Sequence, residues 1–281
     1  QGVKAALKRT GFGIPALFCI DVFPLPGYHM NEYTLKSARM CGMLNSARPR
    51  RLREAPMDLF DIIGPVMIGP SSSHTAGAAR IGKITRMLLN SRPVHARIGL
   101  YGSFQKTYQG HGTDKALVGG LLGMDVDDLR LRDSLRLADE DGLDYSFYKA
   151  EIRGAHPNTV VLDVDGADGR HIQVVAASVG GGEIVVKSID GLEAGFSGHE
   201  NTLVITHHDT PGMIASISGE LAASRLNIAT MRVFRRSAGG EAMVALELDG
   251  AAEADVISRL GGLKGVYHVA YLAARKEEAL G

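Results

Sequence analysis

Cysteine is nearly absent from this chain: of 281 residues only Cys19 and Cys41 carry a thiol. Two thiols are too few for a disulfide framework and far from any zinc-ligand spacing, which fits a reducing cytoplasm. They are also too few to hold an iron–sulfur cluster by cysteine alone. Charge of one sign is missing as well. Lys plus Arg and Asp plus Glu number 31 each, so the formal net charge is zero. No overall field selects nucleic acid, an anionic membrane or a polyanionic substrate. No apolar run approaches the roughly 18–20 uncharged residues of a membrane-spanning helix, so the chain reads as soluble. With 45% apolar and 22% charged residues it is neither disordered nor fibrous in composition. Its length favours two domains.

Residues 1–56 stand apart from the rest. They carry nine basic against three acidic side chains and sustain neither a helix nor a strand period. They are expected to lie outside the fold, either as a disordered leader or as an upstream extension of a protein that starts at Met57. The stretch IPALFCIDVFPLP is broken by Asp21 and three prolines, which makes it a poor secretory signal.

From Met57 onward the chain becomes periodic. MDLFDIIGPVMIG suggests a short helical turn and a loop. Residues 73–90 read as a helix through Gly77, Ile81, Ile84 and Leu88, with Asn90 and Pro93 as the stop. PVHARIGLYG alternates as a strand. The loop YQGHGTD leads into a short helix, KALVGGLLG, for which Thr113 or Asp114 is the expected N-cap. Residues 159–189 read as three strands, with a hairpin turn at 166–169 and, at the triple glycine 180–182, either a second turn or a close backbone approach. After GLEAGFSGHE the pattern changes to strand, helix with Pro211 in its first turn, hairpin, helix and strand. That βαββαβ order is ferredoxin-like. The expected class is α+β: an α/β domain over residues 57–195 followed by a ferredoxin-like domain over 200–275.

Chemistry concentrates in three loops. In IGPSSSHTAG, Ser71, Ser72, Ser73 and His74 sit at the mouth of a helix, where unpaired backbone N–H groups and the macrodipole favour a small anion. The plainer alternative is that one serine caps the helix and the others are solvated. A nucleophilic serine is disfavoured because no G-x-S-x-G elbow occurs. GHGTD places His111 between glycines at a second helix mouth. AHPNT places His156 and Asn158 before a strand, with Pro157 stiffening the turn. Histidine exchanges protons near neutral pH, so His74 and His111 are the acid–base candidates.

These motifs, IGPSSSHTAGAARIG, GHGTDKALVGGLLG, HPNT and SVGGGEI, resemble in this order those of the β subunit of bacterial iron-sulfur-dependent L-serine dehydratase. The C-terminal segment resembles the ACT domain found on that subunit in two-chain forms. The likeness covers the chain from about residue 57 to its end; one departure is Ala78, where many relatives carry proline. It implies a lyase that converts L-serine to pyruvate and ammonia. A [4Fe-4S] cluster with one iron free of cysteine would act as Lewis acid on the substrate hydroxyl while a base removes the Cα proton. The resemblance places that cluster on a separate α subunit, with this chain forming the other wall of the site. By the same resemblance Ser71, Ser72, Ser73, Thr75, Gly112, Thr113, Asp114, His156 and Asn158 bind substrate, and His74 or His111 transfers the proton. The fold implied for the front domain resembles the allosteric substrate-binding domain of some phosphoglycerate dehydrogenases, where an anion is bound without chemistry.

In HHDTPGMIASI, the ACT-like pattern implies an effector site at Asp209, Pro211 and Gly212, completed by Asn227 of a neighbouring copy. Self-association through this domain is expected. The competing reading is a non-catalytic amino-acid sensor, an anion-binding domain joined to an effector-binding one.

Overall fold

The computed structural model of the chain describes Met67 and residues 69–274. The leader, the expected turn after Met57 and both cysteines lie outside the described residues.

The first helix begins with an irregular turn. Ser71 is its N-cap, and Ser72–Ala76 form a single π-helical turn in which the Gly77 N–H donates to the Ser72 carbonyl. α1 follows over Gly77–Leu89 and stops at Asn90, whose φ of 52° is left-handed. β1 (Pro93–Leu100) leads to a short helix, α2 (Ser103–Thr107), and then to α3 (Thr113–Leu121). A 3-10 turn (Leu129–Asp133), α4 (Ser134–Asp141) and β2 (Asp144–Lys149) precede the strands β3 (Thr159–Gly166), β4 (His171–Gly180), β5 (Glu183–Ile189) and β6 (Leu192–Phe196). These strands form a six-stranded sheet in the order β2-β1-β3-β4-β5-β6. Only β1 and β2 run parallel; the other pairs are antiparallel.

α1 and α3 cover this sheet and approach each other through glycine. A Cβ on Gly82 would stand 2.3 Å from the Leu117 carbonyl, and one on Gly120 would stand 2.1 Å from that of Ala79. Ala79, Ile81, Leu88, Leu117 and Leu121 then reach the apolar face of the strands, among them Ile98, Leu162 and Val174.

β7 (Asn201–His208), α5 (Met213–Ala223), β8 (Ile228–Arg235), β9 (Glu241–Leu248), α6 (Ala254–Gly261) and β10 (Val266–Leu272) build the expected βαββαβ unit. Its sheet is antiparallel in the order β10-β7-β9-β8, the ferredoxin-like arrangement. Leu203, Ile205, Val244 and Leu246 meet Ile217, Leu221, Val256 and Leu260 of the helices on one face. Val204, Met243, Ala245 and Ala270, on the other face, join the core of the first sheet. Both faces of β7 are therefore buried at its centre, where Leu203, Val204 and Ile205 follow one another without a polar residue.

The C-terminal end of α1 is held from both modules. Nε2–H of His268 in β10 donates to the Leu88 carbonyl (3.0 Å), and the Arg170 guanidinium donates to that of Leu89 (2.8 Å). No helix among the described residues is long and apolar enough to cross a membrane.

Two caps differ from expectation. Gly112, not Thr113 or Asp114, caps α3: its left-handed φ of 68° turns the chain, and its carbonyl accepts the Ala116 N–H at 2.9 Å. Thr113 and Asp114 lie inside the first turn instead. Pro211 precedes α5 rather than sitting in its first turn, because Gly212 at φ 89° is the cap and cannot be helical.

Candidate functional site

The π turn at Ser72–Ala76 carries the side chains that organise the site. His74 lies in this turn and is 9% exposed. Ser71 Oγ accepts the His74 backbone N–H at 3.2 Å. The His74 ring then meets a hydroxyl at each nitrogen: Ser73 Oγ lies 3.1 Å from Nδ1, and Ser103 Oγ lies 3.1 Å from Nε2. Ser71 Oγ is a further 3.4 Å neighbour of Nδ1. Ser72 contributes its carbonyl to the π turn.

His111 is the second imidazole of this group. Its ring centroid is 4.8 Å from that of His74, edge to face, while Phe104 closes another side of His74 at 5.3 Å. Thr75 Oγ1 donates to the His111 carbonyl (3.1 Å), tying the two loops together. Nδ1 of His111 is buried and meets no hydrogen-bond partner among the described residues. Beside it opens a cavity of about 420 Å³ lined by residues 106–111. Burial holds the His74 imidazole below the usual histidine range, and the charge of His111 pushes the same way. A neutral His74 at neutral pH follows.

The third loop reaches the same neighbourhood through its backbone. The Pro157 carbonyl accepts the N–H groups of Ser103 (2.7 Å) and Phe104 (3.4 Å). Gly102, at φ 62°, permits this approach, since a Cβ there would lie 2.6 Å from the Pro157 oxygen. Asn158 follows directly, with a buried Oδ1 that meets no partner among the described residues. Its backbone N–H donates to Nδ1 of His156, whose side chain is exposed and makes a turn rather than a wall of the site. Thr113 and Asp114 are buried behind the α3 cap, where Asp114 accepts the Lys115 N–H at 2.8 Å.

Ser103 and Phe104 join this group without a sequence signal, and Ser178, which opens the SVGGGEI motif, joins it without a role expected from the sequence. Ser178 is fully buried on β4, and its Oγ would stand 2.1 Å from a Cβ on Gly77. That hydroxyl also meets no partner among the described residues.

The donor set does not fit an iron–sulfur cluster. No cysteine occurs among the described residues, and among them no group of three or more His, Cys, Asp or Glu could hold a metal ion.

In the ferredoxin-like module, Asp209 Oδ2 accepts the Gly239 N–H (3.1 Å) and the Arg235 guanidinium (3.0 Å). The Gly239 N–H, then Arg235, hold its carboxyl below the usual carboxylate range. Pro211 and Gly212 are exposed at the start of α5. Asn227 donates to Asp249 (2.6 Å) at the opposite end of the sheet, so one chain does not bring Asn227 to Asp209.

Fold and site together define a two-module α/β protein: a pocket of serine and histidine loops at the mouth of a sheet-packed helix, followed by a ferredoxin-like antiparallel sheet. A family model for the serine dehydratase beta chain matches residues 56–141. The probable L-serine dehydratase beta chain of Bacillus subtilis is 38% identical over 215 residues, covering 76% of this chain and 97% of that protein. The L-serine dehydratase beta chain of Peptoniphilus asaccharolyticus is 35% identical over 191 residues, covering 68% of this chain and 86% of that one. Among solved structures, the ACT domain of a GTP pyrophosphokinase from Chlorobium tepidum aligns with 26% of this chain and 95% of its own, at 22% identity and a TM-score of 0.23. The chain belongs to the L-serine dehydratase beta chain family.

Proposed function

We propose that this chain is the β subunit of a cytoplasmic L-serine ammonia-lyase. In this reading residues 57–195 form the substrate-facing domain, residues 200–275 form the ACT domain, and a separate α chain carries a [4Fe-4S] cluster. The β-chain relatives support the partner, since a beta chain implies an alpha. The observation that carries the reading is the His74–His111 pair set among Ser71, Ser73 and Ser103.

This chain's part is substrate capture and proton transfer. The serine hydroxyls and the N–H groups of the π turn receive the substrate carboxylate. Asn158 Oδ1, an acceptor without a partner among the described residues, orients the ammonium group. His111 is the group that takes the Cα proton, because both ring nitrogens of His74 are already occupied by serine hydroxyls. Loss of that proton with the β-hydroxyl releases water and leaves an enamine. Hydrolysis of its imine form takes up the water again, so L-serine gives pyruvate and ammonia. Thr75, Gly112, Thr113, Asp114 and His156, expected from the resemblance to touch substrate, brace the three loops of this pocket.

Asp209, Pro211 and Gly212 form the effector site with Asn227 from a second copy. Their placement at opposite ends of one sheet is consistent with a site that needs two chains.

Anaerobic co-expression with a cysteine-rich α chain tests the proposal. The complex should form pyruvate from L-serine and either chain alone should not. A stable complex with an intact cluster that binds serine and forms no pyruvate would support the non-catalytic sensor instead.

A further inference from the structure

Neutral imidazole carries one N–H and one bare nitrogen, so a ring held between two hydroxyls must donate on one side and accept on the other. His74 is such a ring, buried to 9% exposure with Ser103 Oγ at Nε2 and Ser73 Oγ at Nδ1, each at 3.1 Å. The direction of this chain decides what the serines can do. If Nδ1 is the bare nitrogen, it draws in the hydroxyl hydrogen of Ser73 or Ser71, and that hydroxyl can then offer a ligand only lone pairs. If Nδ1 carries the hydrogen, Ser73 accepts it and keeps its own hydrogen free.

We infer that Ser103 is a positioning residue: its hydroxyl donates to Nε2 and holds His74 in the Nδ1–H form, which leaves the hydroxyl hydrogens of Ser71 and Ser73 free for a carboxylate. The placement of Ser103 suits the role. It opens α2, its N–H is fixed on the Pro157 carbonyl at 2.7 Å, and its carbonyl accepts Thr107 Oγ1 at 3.0 Å. The hydroxyl is thereby aimed by a rigid turn. On the other side, Ser71 Oγ already accepts the His74 backbone N–H, so its own hydrogen remains to be donated; its hydroxyl neighbour Ser73 Oγ stands at 3.4 Å, a long contact that a carboxylate displaces. A carboxylate accepts only, and it needs donors; the Nδ1–H form is the one that provides them. The inference assigns a carboxylate, rather than an ammonium or hydroxyl group, to the Ser71–Ser73 end of the pocket. It rests on the reading of that end as part of the serine pocket.

The tautomer can be read without catalysis. The full chain, labelled with ¹⁵N-histidine, is examined by long-range ¹H–¹⁵N correlation at neutral pH, and a His74→Gln variant assigns the ring signals. Nε2 of His74 should be the unprotonated nitrogen in the wild type and in Ser103→Thr, whereas Ser103→Ala should give a mixture of tautomers. A protonated Nε2 in the wild type, or an unchanged ring in Ser103→Ala, overturns the inference. In the assembled enzyme, Ser103→Ala should raise KM for L-serine about tenfold with kcat little changed, and Ser103→Thr should restore it. An equal fall in kcat and kcat/KM would place Ser103 in the chemical step and contradict a positioning role. Lack of pyruvate from the wild-type complex would remove the functional reading alone, and the ring spectrum would still decide the tautomer.

Discussion

The imidazoles of His74 and His111 stand edge to face at 78°, their centroids 4.8 Å apart. A proton on one opposes a proton on the other. Replacing His111 with Ala removes the second cause of the low His74 pKa and leaves the first, burial. The His74 titration followed by NMR should therefore move up yet stay below the ordinary histidine range. An unmoved titration would show that the two rings do not sense each other.

Acid should weaken the fold through two histidines. Burial is the main cause that lowers both His74 and His268; Arg170 adds to it at His268, while the Leu88 carbonyl, Asp168 and Asp190 oppose it. Between the ordinary value of 6.5 and the lower folded value, the unfolded chain binds more protons than the native one. Stability is thus complete above that ordinary value and declines as pH falls towards the folded pKa. His268→Gln should flatten the decline: from about pH 7.5 to about pH 5.5 its Tm should fall less than that of the wild type. Equal falls would exclude His268 as a contributor.

The α1–α3 contact should not tolerate a methyl group. Gly82→Ala or Gly120→Ala forces a Cβ to within 2.3 or 2.1 Å of a backbone carbonyl, so denaturant unfolding should show a loss of about 1–3 kcal/mol. Gly219 lies within α5 with nothing near its Cβ position, and Gly219→Ala should stabilise by about 0.5–1 kcal/mol. Similar effects at the three positions would contradict the close helix approach.

Ser71 has a structural and a ligand-facing role that separate in one variant. Ser71→Ala loses the cap on the His74 N–H and should cost about 0.5–2 kcal/mol in denaturant unfolding. It should also raise KM for L-serine in the assembled enzyme. A raised KM without loss of stability would remove the cap from the account.

Much of this organisation is legible in the residues. β7 to β10 read as strands from their apolar runs and the turn glycines between them, whereas the sheet order β10-β7-β9-β8 follows only from the ferredoxin-like βαββαβ pattern. The loops of His74 and His111 were marked by serine and glycine at helix mouths, and the structure brings both rings together. Residues 103–149 were harder. α2 has five residues, too few to show a helical period, and β2 is a half-exposed edge of its sheet. Ser103 carries no local sign, and Ser178, within SVGGGEI, no sign of its role, because their meaning lies in contacts across 29 residues, for Ser103 to His74, and from sheet to helix, for Ser178 to Gly77. The cap at Gly112 was missed because a left-handed glycine competes with Thr and Asp for the same role.

The role of His111 is tested most directly by its alanine variant in the anaerobic complex with the α chain. His111→Ala should abolish pyruvate formation while the cluster's visible absorption and the binding of the two chains stay as in the wild type. Full turnover by that variant would remove His111 from the chemistry and contradict the account.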